Sequence, residues 1–263
     1  MDVFEKAGFS LHLVGGAVRD VILHGAPDTL TDYDFTTNAR PDQIEQLLTP
    51  VCSTPGLADF WNPNPTRKAS LEVWKRRCEQ FATFGVKNIY TSANTAMKIK
   101  ADDYKEGPQC IREAAEISKQ FGMTSLIEFT RSSTYISTLP TLLKLIREAA
   151  HPNAKPMLDF YHFYSGLSKM DDLDMLKPGE LGHVHFQDVP DMPRELLDNT
   201  TRIIPGDGVS PLQTILKKLM ASGYRGPMSV ELFLPKFQQA DPYDMAKEIR
   251  DKAETVLHKA GAM

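Results

Sequence analysis

The chain has little of what commits a sequence to a membrane, a disulfide framework or a nucleic-acid surface. It holds three cysteines in 263 residues, Cys52, Cys78 and Cys110, with no CxxC among them. That odd count, without metal-ligand spacing, reads as free thiols of a reducing compartment. No run approaches the roughly 18 apolar residues that a spanning helix needs. The first residues, Met-Asp-Val-Phe-Glu-Lys, have neither a basic nor an apolar leader region, so a cytoplasmic protein is expected. Positive charge is scarce too. Against 34 Asp+Glu stand 30 Lys+Arg, a net of -4 that gives no general attraction to nucleic acid. Hydrophobic content of 41% and charged content of 24% are ordinary for a globular protein. At this length a chain buries roughly 70–75% of its unfolded surface and needs no covalent staples.

From about residue 50 onward the pattern alternates strand and helix. Apolar runs at 50–53, 87–92, 124–130, 155–161, 181–187 and 227–232 read as strands. Between them, Leu139, Leu142, Leu143 and Ile146 fall at helical spacing, as do Leu212, Ile215, Leu216 and Leu219. Gly85 and Gly122 stand where a helix C-terminal glycine belongs. Cys78 continues the stripe Leu71, Trp74, Cys78, Phe81 and is expected in the core. Alternation of this kind implies parallel strands with right-handed crossovers. Six strands fall short of the eight a closed barrel needs. The first fifty residues supply two more candidates, at 11–15 and 32–36, with helices at 17–23 and 41–48. The expected fold is therefore one α/β (β/α)₈ barrel of the TIM type with an atypical N-terminal quarter, residues 1–50 completing the barrel of 51–263. That quarter is atypical in charge: eight acidic against three basic residues, net -5, while the remaining 26 and 27 leave +1. The stretch Trp61-Asn-Pro-Asn-Pro65 reads as a loop at the barrel mouth.

Four chemistry-bearing residues follow successive apolar runs. They are Glu128 in Ser-Leu-Ile-Glu-Phe, Asp159 in Pro-Met-Leu-Asp-Phe-Tyr-His, His185 in His-Val-His-Phe-Gln-Asp, and Glu231 in Met-Ser-Val-Glu-Leu-Phe. In a parallel barrel all strand C-termini open on one face, so the four converge there. Three carboxylates and one imidazole suit one divalent ion, Mn²⁺, Mg²⁺ or Co²⁺, with Zn²⁺ also admitted. Moving a proton on a carbon beside a carbonyl calls for such an ion to polarise the oxygen. It also calls for carboxylates to take the proton from one face and return it elsewhere. Glu128 and Glu231 fit that pair. Taken singly, each carboxylate also reads as a solvated strand end.

Residues from about 50 to 263 resemble the xylose isomerase-like TIM-barrel family of sugar and sugar-phosphate isomerases and epimerases. The resemblance rests on Leu-Ile-Glu128-Phe, Leu-Asp159-Phe-Tyr-His162, Gly-His-Val-His185-Phe-Gln-Asp188, Arg202-Ile-Ile-Pro-Gly-Asp-Gly208 and Gly223-Tyr-Arg-Gly-Pro-Met-Ser-Val-Glu231, in register over four-fifths of the chain. It implies that Glu128, Asp159, His185 and Glu231 hold the metal and that Glu128 and Glu231 are the acid/base pair. It further implies that His162 and Arg202 touch a small carbohydrate substrate, and it makes a homodimer plausible. For these residues other readings stay open. His162 equally suits an aromatic belt beside Tyr161 and Phe163, and Arg202 a surface salt bridge. Asp188 either belongs to the substrate site, orienting His185, or caps its loop. His183 is assigned to the face opposite His185, in a structural role. Pro205-Gly-Asp-Gly208 reads as a turn into a helix beginning near Ser210.

Residues 8 to 48 resemble something else, the head of class II tRNA nucleotidyltransferases and poly(A) polymerases. The match is Leu13-Val-Gly-Gly-Ala-Val-Arg-Asp20 followed by Asp32-Tyr-Asp34-Phe-Thr-Thr. It implies a nucleotidyl-transfer site of Gly15, Gly16, Arg19, Asp32 and Asp34, the glycines cradling triphosphate and the aspartates two Mg²⁺. The third head carboxylate and the helical RNA-binding body are not found, and the segment is acidic where an RNA binder is basic. Three classes of function follow. The first is a metal-dependent isomerase or epimerase of a small sugar, sugar phosphate or inositol-like ketone. The second is nucleotidyl transfer to RNA, and the third a catalytically inactive chimera of the two parts. Endonuclease IV-like repair uses the same fold, but seven scattered histidines and a net charge of -4 speak against it.

Overall fold

A computed structural model describes residues 11–14, 34–37, 51–53, 67–83, 85–93, 95–96, 98–233 and 235–263. Six parallel strands form one sheet in sequence order. They are β3 (Val51–Ser53), β4 (Asn88–Ser92), β5 (Thr124–Glu128), β6 (Ala154–Asp159), β7 (His183–His185) and β8 (Met228–Ser229). The helices α1 (Arg67–Ala82), α2 (Asp103–Gln120), α3 (Leu139–Ala149) and α5 (Leu212–Ala221) fill the crossovers. A short α4 (Phe160–Ser165) follows β6 directly, α6 (Pro235–Gln239) follows β8, and α7 (Pro242–Ala260) packs on α5. No described helix is long and apolar enough to cross a membrane.

Two hydrogen-bonded groups reveal the curl of the sheet. Strands β4 and β8 stand four positions apart, which in a flat sheet is about 19 Å at the usual strand spacing. Yet the Tyr90 hydroxyl on β4 donates to Glu231 Oε1, just past β8, at 3.2 Å. The sheet therefore wraps as a half-barrel whose far strands face one another across the interior.

Strand alternation divides the core in two. Ile89, Ile127, Leu158 and Val184 point outward and pack with the helix stripes, including Leu139, Leu142, Leu143 and Ile146 of α3 and Ile215, Leu216 and Leu219 of α5. Cys78 is fully buried in the same cluster, as its stripe requires. Tyr90, Leu126 and Met157 point inward and form a separate inner layer. Burying a leucine-sized side chain contributes roughly 1.5–3 kcal/mol, so the double-sided β5 and β6 anchor the whole. The two helix-end glycines behave as expected, both at φ 71°.

The N-terminal strands do not follow the expected plan. β1 (Leu11–Val14) and β2 (Asp34–Thr37) pair with each other, antiparallel, with Leu11 opposite Thr37 and Val14 opposite Asp34. They make a two-stranded sheet of their own. Among the described residues the ring is thus not closed to eight. Antiparallel partners satisfy their ladder bonds mutually, without the helical crossover that parallel entry to the barrel requires. The helices expected at 17–23 and 41–48, and the loop at Trp61–Pro65, lie outside the described residues.

Candidate metal centre

The inner face of β5 to β8 carries polar side chains one layer above the apolar ones. Glu128 ends β5 and Asp159 ends β6; His185 ends β7 opposite Asp159, and Glu231 lies two residues beyond β8. Their ligand atoms all fall within 4.8 Å of one another. Around His185 Nδ1 stand Glu128 Oε1 at 3.1 Å, Glu231 Oε2 at 3.3 Å and Asp159 Oδ2 at 3.5 Å. Asp159 is fully buried, and Glu128 and His185 are nearly so. Buried carboxylates at this density demand positive charge. Three oxygens and one nitrogen, inward-facing and this close, fit a divalent ion.

Arg202 answers that demand within the chain. The Arg202 guanidinium, 2% exposed, donates from Nη1 to Asp159 Oδ2 at 2.8 Å and to Glu231 Oε2. Its Nη2 lies 3.2 Å from His162 Nε2, and its plane sits 4.8 Å from the Tyr161 ring centre and 5.1 Å from that of Phe233. Arg202 is therefore a deep ion-pair partner, and the surface salt bridge is excluded. His162 meets both Arg202 and the site, its Nδ1 accepting from the Arg131 N–H at 3.3 Å.

The proton affinities follow from these contacts. Burial opposes ionisation of Asp159, but the adjoining Arg202 charge outweighs it and holds the carboxyl below the usual range. Burial also acts against Glu231, where the hydrogen bond from His185 and the Arg202 charge reverse its effect. Glu128 is the exception: burial lifts it despite His185. His185 is held well above the ordinary histidine value, because its carboxylate partners overcome the burial that disfavours its charge.

His183 corrects the strand reading. Positions i and i+2 of a strand share one face, and the His183 and His185 rings meet edge-on at 5.9 Å. His183 lies one layer deeper, where its Nε2 is 2.9 Å from Ser229 Oγ and ties β7 to β8. Burial pushes it down to about 4, so it is neutral at pH 7.

Of the two readings of Asp188, its contacts support the loop cap: its carboxylate accepts four backbone N–H groups. Val189 and Ser210 donate to Oδ1, both at 2.9 Å; Gly206 and Gly208 donate to Oδ2 at 3.1 and 3.0 Å. The Pro205–Gly208 turn is folded around this one side chain, and α5 starts at Leu212. A Cβ on Gly208 would lie 2.0 Å from the Val189 carbonyl oxygen and 2.7 Å from Asp188 Oδ1. Gly208→Ala is therefore expected to destabilise by about 1–3 kcal/mol, read as a lower melting temperature. An unchanged melting temperature would contradict this account of the turn.

Of the nucleotidyl-transfer set, Gly15, Gly16, Arg19 and Asp32 lie outside the described residues, and Asp34 is described only as the first backbone position of β2.

The xylose isomerase-like TIM barrel family model matches residues 30–255. The chain belongs to this family. Among curated proteins, the inosose isomerase of Bacillus velezensis is 24% identical over 236 residues, 88% of this chain and 80% of that enzyme. The inosose isomerase of Halalkalibacterium halodurans is 26% identical over 162 residues, 61% of this chain and 57% of that enzyme, less than two thirds of its length. A solved structure of the IolI protein with a bound zinc atom superposes with a TM-score of 0.76 at 22% identity, covering 85% of this chain and 83% of that one. The poly(A) polymerase I of Salmonella typhi is 52% identical over 44 residues, 17% of this chain but 9% of that enzyme.

This family member carries two further polar residues in its site that the motifs did not single out. Gln187 is fully buried and donates from Nε2 to Asp159 Oδ1 at 2.7 Å. Its sequence signal is the alternation His183, His185, Gln187. Tyr90 meets both Glu231 and, edge-on at 5.2 Å, the His185 ring. Tyr90 also lines a cavity of about 240 Å³, with Ser92, Glu128, Thr130, Ser132, His162, Asn199, Arg202, Glu231 and Phe233.

Proposed function

We propose that the protein is a divalent-metal-dependent isomerase or epimerase of a small sugar, sugar phosphate or inositol-like ketone. The observation that carries this is the convergence of Glu128, Asp159, His185 and Glu231 within 4.8 Å at one end of the sheet, opening on the cavity. Inosose isomerases among the relatives support the ketone class. The 3-dehydroshikimate dehydratase of Bacillus anthracis, 33% identical over 128 residues, is a relative of another named activity. The four side chains would hold the ion, which when bound supplies Lewis-acid polarisation of a substrate carbonyl.

The remaining chemistry belongs to the chain. Glu128 ends β5, Glu231 lies two residues beyond β8, and both line the cavity. One carboxylate removes the carbon-bound proton and the other returns a proton to a neighbouring carbon or the opposite face. Arg202, fixed to Asp159 and to His162, offers guanidinium N–H groups toward substrate oxygens, and His162 lines the same cavity. Phe233 forms an apolar wall.

The test is thermal unfolding of chelated protein with and without Mn²⁺. At 100 times its dissociation constant an ion stabilises by about 2.7 kcal/mol. The expected result is a higher melting temperature for the wild type and none of that gain for Glu231→Gln, with turnover of an inosose or ketose only in the metal-loaded wild type. A wild type that does not respond to Mn²⁺ would remove the basis of the proposal.

A second reading is supported by the identity with poly(A) polymerase I. We infer a chimeric origin, in which a fragment of a nucleotidyltransferase head occupies about residues 8–48. Under the isomerase reading Asp34→Asn leaves the Mn²⁺ gain intact. Loss of the gain in that variant alone would transfer the metal site to the N-terminal segment and favour nucleotidyl transfer.

A further inference from the structure

The oxygens of two carboxylates in the cluster are sorted by the kind of donor they meet. Among the described residues, Asp159 Oδ1 accepts from neutral groups, the His162 backbone N–H at 2.8 Å and Gln187 Nε2 at 2.7 Å. Asp159 Oδ2 faces the guanidinium Nη1 of Arg202 at 2.8 Å and the candidate ligand atom His185 Nδ1 at 3.5 Å. Glu231 repeats the division. Its Oε1 accepts the neutral Tyr90 hydroxyl at 3.2 Å, while its Oε2 meets Arg202 and, at 3.3 Å, His185 Nδ1. In each carboxylate the oxygen turned away from the neutral donor is the one that faces His185 Nδ1, another candidate ligand atom.

The neutral donors are built into the barrel. Gln187 is fully buried, and its Oε1 has no partner among the described residues. Turning its amide over would set Oε1 against Asp159 Oδ1, two acceptors face to face, so the orientation is fixed. Tyr90 is held in the inner layer with Leu126 and Met157 and reaches Glu231 from the opposite side of the curl.

We propose that Gln187 and Tyr90 are positioning residues that hold one oxygen each of Asp159 and Glu231 out of coordination. Both carboxylates then bind through a single oxygen, and the site prefers a small ion of low coordination number. Ca²⁺, which takes six to eight oxygens and favours two-oxygen carboxylate contacts, is disfavoured. The role is to set metal selectivity, and it rests on the metal-dependent reading above.

The experiment titrates the chelated full-length protein with Mn²⁺ and, separately, with Ca²⁺ by calorimetry. The proteins are the wild type, Gln187→Met, Tyr90→Phe and Glu128→Gln. Outer partners of metal ligands typically carry 10–100-fold in affinity. Each positioning variant is expected to weaken Mn²⁺ by about that factor and to move the Ca²⁺-to-Mn²⁺ affinity ratio toward Ca²⁺ by about tenfold or more. General loosening of the fold weakens both ions alike and leaves the ratio where it was. An unchanged ratio in both variants overturns the positioning role while leaving the metal site intact. Should Gln187→Met not fold, Tyr90→Phe decides, since it removes one hydroxyl from an otherwise retained ring. A wild type that binds neither ion, or a Glu128→Gln that binds as well as the wild type, overturns the metal site and this role together.

Discussion

Glutamine in place of Glu128 is expected to lower turnover of an inosose or ketose by about 10²–10⁴-fold, the usual contribution of a positioned acid or base. The substitution keeps the shape of the side chain. The Gln amide oxygen can still accept from His185 Nδ1, which lies 3.1 Å from Glu128 Oε1. What disappears is the titrating oxygen, on a residue whose burial lifts its proton affinity. Loss of a ligand and loss of a base are separated by metal titration. If excess Mn²⁺ restores binding but not turnover, the missing function is proton transfer. Turnover within about threefold of the wild type would remove Glu128 from the mechanism.

The largest effect on stability is expected at Asp188. Removing its carboxylate in Asp188→Ala leaves four N–H groups, those of Val189, Gly206, Gly208 and Ser210, without their acceptor. Hydrogen bonds to a charged group contribute about 1.5–3 kcal/mol each. They do not add, because the turn relaxes as a unit and water reaches its exposed members. A net loss of about 3–5 kcal/mol is expected, visible as a lower urea midpoint at unchanged slope. The outcome also tests the other reading. Had Asp188 oriented His185, its loss would weaken metal binding with little effect on unfolding. A cost below about 1 kcal/mol would mean the turn stands without it.

Legibility in the sequence followed what each interaction leaves behind in the pattern. Parallel strands separated by amphipathic helices mark themselves, so β4 to β7 stood out, with the ligands that end β5, β6 and β7. Glu231 was found although β8 proper ends at Ser229, because the apolar run continues beyond the paired residues. Pairing direction carries no such mark. The residues of β1 and β2 suit a strand in either orientation, and their mutual antiparallel register was hidden. Asp188 was ambiguous because its donors lie 18 to 22 residues away for Gly206, Gly208 and Ser210. Tyr90 is separated from Glu231 by 141 residues, and a tyrosine inside a strand looks like core. Gln187 is neutral and carries no charge pattern. These positioning contacts become visible only once the curl of the sheet sets distant strands face to face.

Asp159 ends β6 and also starts α4. Its Oδ1 caps the helix through the His162 N–H while Oδ2 turns to the site. Helix N-caps favour the short oxygen-bearing side chains Asp, Asn, Ser and Thr. Glutamate would keep the charge and surrender the cap; asparagine would keep the cap and surrender the charge. Two independent selections therefore meet on one codon, and drift there is blocked in both directions. Of the four candidate ligands, Asp159 should be the last to vary among sequences that retain the site, including those whose substrates have diverged.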